Sequence, residues 1–84
     1  MLFRDFIGNA LRHERVSQGK TLRGVAFRAD VSLGYLSEIE RGIKEPSSEV
    51  IGSVCRALSY PLPDLLRAIA DDYELLTARE TVGL

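Results

Sequence analysis

The sequence predicts an all-α domain built from five short helices. Three observations carry that prediction. Apolar residues recur at three- and four-residue spacing, no stretch sustains the alternation of a half-buried strand, and glycines or small polar residues punctuate the apolar segments where helix caps belong. Eighty-four residues make one domain, and a hydrophobic content of 45% supplies a helical core with little volume left for an internal ligand cavity.

Phe3, Phe6, Ile7, Ala10 and Leu11 share one side of a helix expected over about residues 3–18, with Gly19 as its C-terminal stop. Thr21 is a good N-cap for a second helix whose inner face is Leu22, Val25, Ala26 and Ala29. Gly24 inside that helix costs about 1 kcal/mol relative to alanine. Asp30 falls in the turn that follows, and aspartate adopts a left-handed conformation more readily than most residues other than glycine. Ser32 then caps a third helix with Leu36 and Ile39 on its inner seam, and Gly42 ends it. So short a link forces the second and third axes to cross steeply, giving a helix-turn-helix over about residues 22–41.

Lys44-Glu45-Pro46-Ser47-Ser48 reads as a loop in which the proline sits just before a serine cap. A fourth helix buries Val50, Ile51, Val54, Cys55 and Leu58. Tyr60-Pro61-Leu62-Pro63 interrupts the chain, and Asp64 is placed to cap a fifth helix. Leu65, Leu66, Ile69, Tyr73 and Leu76 form the apolar stripe of that helix, which either packs back on the domain or pairs with a second copy. Residues 78–84 are expected to fray.

The net charge of −1 conceals an uneven distribution. Residues 1–44 hold eight Lys and Arg against five acids, a balance of +3, whereas residues 45–84 hold three against seven, a balance of −4. The basic half carries the helix-turn-helix, as a phosphate-binding surface requires. No apolar run approaches the ~20 residues that span a bilayer, and no basic-then-apolar signal segment opens the chain. Cys55 falls on the buried stripe of the fourth helix and is expected as a core filler. A single cysteine cannot close an internal disulfide, which fits a reducing cytoplasm.

The third helix is the most informative segment. Gly34, Ser37, Glu38 and Arg41 lie opposite Leu36 and Ile39, so the outer face presents a glycine, a hydroxyl, an acceptor and a cation. That face suits the major groove of DNA. Glu38 can accept a hydrogen bond from a cytosine N4 amino group, and Gly34 lets the helix approach the base edges. The plainer reading makes them a solvated acid and a mild helix defect. Leu33 either meets a thymine methyl group or is an ordinary exposed leucine, and Ser37 can also reach bases. Ser32 can present its hydroxyl or nearby amides to phosphate as well as capping. Tyr35 either packs its ring inside with the hydroxyl on a phosphate or is buried whole. Lys20, Arg23, Arg41 and Lys44 flank the motif as phosphate contacts, the alternative for each being ordinary surface charge.

His13 has no second His or Cys at ligand spacing, so no metal site and no cofactor are expected. No base is placed to activate a serine, and no catalysis is expected.

Leu11-Arg12…Arg15, Gly19-x-Thr21-Leu22-x-x-Val25-Ala26, Val31-Ser32-x-x-Tyr35-Leu36-Ser37-x-Ile39-Glu40-Arg41-Gly42, Pro46-Ser47 and Arg56-Ala57-Leu58 resemble the XRE family, the phage repressor and Cro class. The resemblance spans about residues 8–66. Within it, the run from Val31 to Glu49 is similar to regulators of clp genes, which are transcriptional activators of Clp protease and related stress genes.

The resemblance implies a five-helix, lambda-repressor-like fold, with residues 1–66 as the DNA-binding domain. Residues 64–84 would form a C-terminal helix and tail that dimerises through Leu65, Leu66, Ile69, Tyr73 and Leu76. It further implies a homodimer on a pseudo-palindromic operator in double-stranded DNA, with RNA polymerase as a further partner of an activator and no membrane association. Arg15 and Glu40 would form a partly buried structural ion pair. The family often opens the second helix with a glutamine that touches phosphate; Leu22 stands there, so that contact passes to Lys20, Thr21 or Arg23. Glycine is usual where this chain has Asp30. The competing expectation is an antitoxin-type or autorepressing protein whose main partner is another protein, docked on the acidic half from Glu45 onward.

Overall fold

The computed structural model describes residues 2–82, with side-chain surroundings through Ala78. These residues form α1 (Phe3–Ser17), α2 (Leu22–Ala29), α3 (Leu33–Glu40), α4 (Ser48–Ala57) and α5 (Leu62–Val82), with no strand among them.

The first four helices end in one way. Gly19, Asp30, Gly42 and Ser59 each take a left-handed conformation, with φ of 69°, 57°, 73° and 50°. In each case that residue and the next donate their N–H groups back into the last turn, as Asp30 does to the Phe27 carbonyl (3.2 Å) and Val31 to that of Ala26 (3.0 Å). Carbonyls that a helix end would leave unpaired are thereby satisfied, and the chain reverses within three residues between α2 and α3. Ser59 plays this part with no glycine to signal it.

The start of α5 differs from the expectation that Asp64 caps it. The N–H groups of Asp64 and Leu65 donate to the Pro61 carbonyl at 2.9 and 3.2 Å, so the helix begins before Asp64. Prolines are tolerated in a first turn because their missing N–H would find no helical partner there. Asp64 instead accepts from Arg67 (3.0 Å) in an exposed ion pair. At the other end, the fraying expected from residue 78 is absent as far as Val82; Met1, Gly83 and Leu84 lie outside the described residues.

The core joins Phe6, Ile7, Ala10 and Leu11 of α1 to Val25, Ala26 and Ala29 of α2, Leu36 and Ile39 of α3, and Val54, Cys55 and Leu58 at α4. α2 packs on α4, and α1 packs on both α3 and α5. The stripe expected to dimerise is therefore divided. Leu65 and Ile69, 1% and 9% exposed, belong to this chain's own core, and Ile69 also lines the floor of the groove between α1 and α5. Leu66 and Tyr73 are exposed, and Leu76 is half-buried against the core. Phe3, expected on the inner side of α1, is also exposed at that helix's first turn. Leu2, Phe3, Leu66 and Tyr73 border a shallow apolar groove of about 620 Å³ between α1 and α5. The Tyr73 ring meets that of buried Phe6 at 5.5 Å between centroids.

Candidate nucleic-acid interface

Both helices of the central motif are capped as the sequence predicts. The Thr21 hydroxyl accepts from the Gly24 N–H, and the Ser32 hydroxyl from the Tyr35 N–H, each at 3.0 Å. These bonds satisfy N–H groups that helix starts leave open and are typically worth about 1 kcal/mol each. Leu36 and Ile39 are completely buried, which fixes the rotation of α3 about its axis. With that seam inward, Leu33, Gly34 and Arg41 are exposed on the other side, and Ser37 and Glu38 are half-buried between.

Arg15 and Glu40 secure the end of α3. Arg15 Nε and Nη2 donate to Glu40 Oε2 and Oε1 at 2.8 and 3.0 Å, and Nη1 donates to the Lys20 carbonyl at 2.9 Å. The hydrogen bonds from Arg15 to Glu40 push the guanidinium pKa up, against the opposing effect of burial. One arginine thus ties together α1, α3 and the segment that leads into α2. Arg4 adds a bond from Nε to the Gly42 carbonyl (2.9 Å).

Gly34 is not demanded by the fold. Its φ is not positive, and a Cβ built on it would meet nothing within 4 Å. Glu38 is held by its backbone: its carbonyl accepts from the N–H groups of Ile43 (2.9 Å) and Lys44 (3.3 Å). Its carboxylate has no hydrogen-bond or ionic partner among the described residues. The Arg41 Nε lies a weak 3.4 Å from the Ser37 carbonyl on the same helix.

Around that face, Arg23, Arg41 and Lys44 are exposed, as are Thr21 and Ser32. Tyr35 is half-buried and packs against the core rather than being enclosed by it. Lys20, expected as a phosphate contact, has a neighbour within its own chain. Its ammonium lies 3.4 Å from the Ala57 carbonyl, at the C-terminal end of α4, where the helix dipole favours a cation. Arg28 escaped the sequence reading, yet it shares a surface hollow of about 200 Å³ with Lys20, Thr21 and Gly24. Its position one helical turn after Gly24 was the available signal. Phe27, 87% exposed on α2, and Ile43, just beyond α3, also came without sequence warning.

Cys55 is buried in the core, and burial pushes its thiol pKa up. Among the described residues, no group of three or more His, Cys, Asp or Glu is arranged to hold a metal ion, and no helix is long and apolar enough to cross a membrane.

The helix-turn-helix family profile matches residues 11–65. The transcriptional regulator ClgR of Mycobacterium tuberculosis is 58% identical over 65 residues, covering 77% of this chain and 58% of its own length. The chain therefore spans a little over half of that curated relative. The crystal structure of the clp gene regulator ClgR from Corynebacterium glutamicum superposes with a TM-score of 0.92 at 46% identity, covering 99% of this chain and 88% of that one. The restriction-modification controller protein C.AhdI from Aeromonas hydrophila superposes with a TM-score of 0.71 at 26% identity, over 74% of this chain and 94% of that one. With the family profile matching residues 11–65 and a ClgR crystal structure superposing along 99% of the chain, this protein belongs to the XRE-type helix-turn-helix family.

Proposed function

We propose that this chain is a sequence-specific, DNA-binding transcriptional regulator that works in the cytoplasm as a homodimer and activates genes of Clp protease and related stress proteins. The open outer face of α3 supports the DNA contact most directly. Its fold-bearing residues are buried on one side, and a glycine and an unpartnered carboxylate are offered on the other. Leu33, Gly34, Ser37 and Glu38 address base edges, whereas Thr21, Arg23, Ser32, Tyr35, Arg41 and Lys44, with Lys20 and Arg28 beside them, fix the register on phosphates. The similarity to the ClgR regulators named above supports the clp target.

A pseudo-palindromic operator calls for a two-fold protein. The α1–α5 groove bordered by Leu2, Phe3, Leu66 and Tyr73 supplies apolar surface for a second copy. RNA polymerase is the further partner that activation requires. Selection of genomic fragments by the purified protein, followed by sequencing, tests this reading. A palindrome upstream of protease genes is the expected product. Enrichment of its own promoter alone would favour an autorepressor, and no enrichment would overturn DNA recognition.

A further inference from the structure

The α3 face carries a more detailed assignment, which rests on the DNA-binding reading above. A carboxylate only accepts hydrogen bonds, and the donors on major-groove base edges are the amino groups at cytosine N4 and adenine N6. Adenine sets the N7 acceptor on the same edge as N6, where it repels a carboxylate. Cytosine has no acceptor on its own major-groove edge. An unpartnered, half-buried glutamate held by its backbone at the edge of the open face of a reading helix therefore fits cytosine.

Gly34 lies one turn before Glu38, and the chain offers no reason for it to be glycine. Alanine would favour the helix and would clash with nothing. Lacking a Cβ, Gly34 leaves a notch beside the partly exposed Leu33 and the half-buried Ser37. A bare position on that face, with nothing within 4 Å of where a methyl group would sit, suits the apolar group on the major-groove edges, the C5-methyl of thymine. Helix positions four apart are separated by about 5–6 Å, whereas bases along a strand are about 3.4 Å apart. The two features therefore meet bases no more than two steps apart.

We propose that Glu38 selects a cytosine through its N4 amino group, and that the notch at Gly34 receives the methyl group of a thymine within two base steps, in each half-site.

The test is selection from a library of randomised DNA duplexes by the full chain and by Glu38→Ala, Glu38→Gln and Gly34→Ala, at one salt concentration. Wild type should enrich a C and, within two steps, a T. Glu38→Ala should lose about tenfold discrimination at the C while keeping the T. Glu38→Gln should exchange C for A at that position, because an amide pairs with adenine N6 and N7 together. Replacing the selected T by deoxyuridine, which lacks the methyl group, should weaken wild-type binding by about fourfold and leave Gly34→Ala unaffected. A selected site whose C preference survives Glu38→Ala would overturn the proposal, as would one on which uracil binds wild type as well as thymine. The uracil arm uses wild type and needs no variant to fold. A library from which wild type enriches nothing would instead sink the DNA-binding reading itself, and the present assignment with it.

Discussion

Gly8 on α1 and Gly34 on α3 stand under opposite constraints: a methyl group on Gly8 would overlap the Ile39 carbonyl oxygen, and one on Gly34 would meet open space. Gly8 is therefore a packing requirement of the α1–α3 crossing, and Gly34 is a local weakness in an otherwise well-held helix. Gly8→Ala should destabilise the protein by about 1–3 kcal/mol, the usual effect of forcing an extra methyl group into a packed contact. Gly34→Ala should stabilise it by up to about 1 kcal/mol through helix propensity. Urea denaturation of both variants beside wild type measures the two signs. Loss of stability in Gly34→Ala would mean that the fold does need the glycine.

The pair formed by Arg15 and Glu40 makes the next prediction. Their side chains are 14% and 6% exposed, so removing either leaves its partner poorly solvated. Arg15→Ala or Glu40→Ala should each cost about 3 kcal/mol, the lower part of the range for breaking a buried pair. Arg15→Met combined with Glu40→Leu should recover part of that loss, since apolar side chains of similar volume leave no stranded charge. Thermal unfolding of the two single variants and the double variant decides it. A double variant as unstable as the two losses added would show that the two side chains do not act as a pair and that each supports the fold through other contacts.

Much of this architecture was legible because its signals are local. Thr21, Ser32 and Ser47 cap the helices they precede, and Gly19, Asp30 and Gly42 stop the helices they follow. Leu36 and Ile39 define the seam of α3, and Gly34 and Arg41 fall on its exposed side as their spacing requires. What was not legible depends on tertiary neighbours. Leu65 and Leu66 are adjacent apolar residues of one stripe, yet only the packing of α5 on α1 decides that the first is core and the second is surface. The need for glycine at position 8 is set by the backbone of Ile39 and Glu40, more than thirty residues away in sequence. Lys20 looked like a free cation until the end of α4 was placed beside it.

Alkaline pH should erode the fold in a predictable direction. Burial raises the pKa values of the Cys55 thiol and the Tyr60 hydroxyl, and for Tyr60 the negative charge of Glu14 and Asp64 adds to the effect. Folded values raised above unfolded ones mean that both groups contribute fully at neutral pH. That contribution is lost as pH climbs from the unfolded values through the folded ones. Chemical denaturation across neutral and alkaline buffers should show the decline, and Cys55→Ala should flatten it while lowering stability at neutral pH. An unchanged alkaline slope in that variant would remove the thiol from the account.

The dimer prediction is tested most cleanly at Leu66 and Phe3, which border the groove that Ile69 also lines. Both are more than half exposed, so an acidic substitution there should cost the monomer little. Leu66→Glu or Phe3→Glu should shift the protein from dimer to monomer in sedimentation equilibrium while leaving its helical content intact. A dimer that survives both changes would place the interface elsewhere.

Lys44 and Glu38 should separate the two components of DNA binding. The Lys44 backbone N–H donates to the Glu38 carbonyl, so the two residues lie together at the end of the reading helix with opposite charges. A lysine on phosphate releases counterions whatever the bases are, whereas a carboxylate in the groove gains only where it finds a donor. Lys44→Ala should weaken matched and scrambled duplexes alike and reduce the slope of log affinity against log salt by about 1. Glu38→Ala should leave that slope near wild type and narrow the gap between matched and scrambled duplexes. Its own negative charge opposes phosphate, so the variant should bind the scrambled duplex at least as well as wild type does. Titrations of both duplexes at several salt concentrations resolve these outcomes. Equal losses on both duplexes for both variants would refute the division of roles.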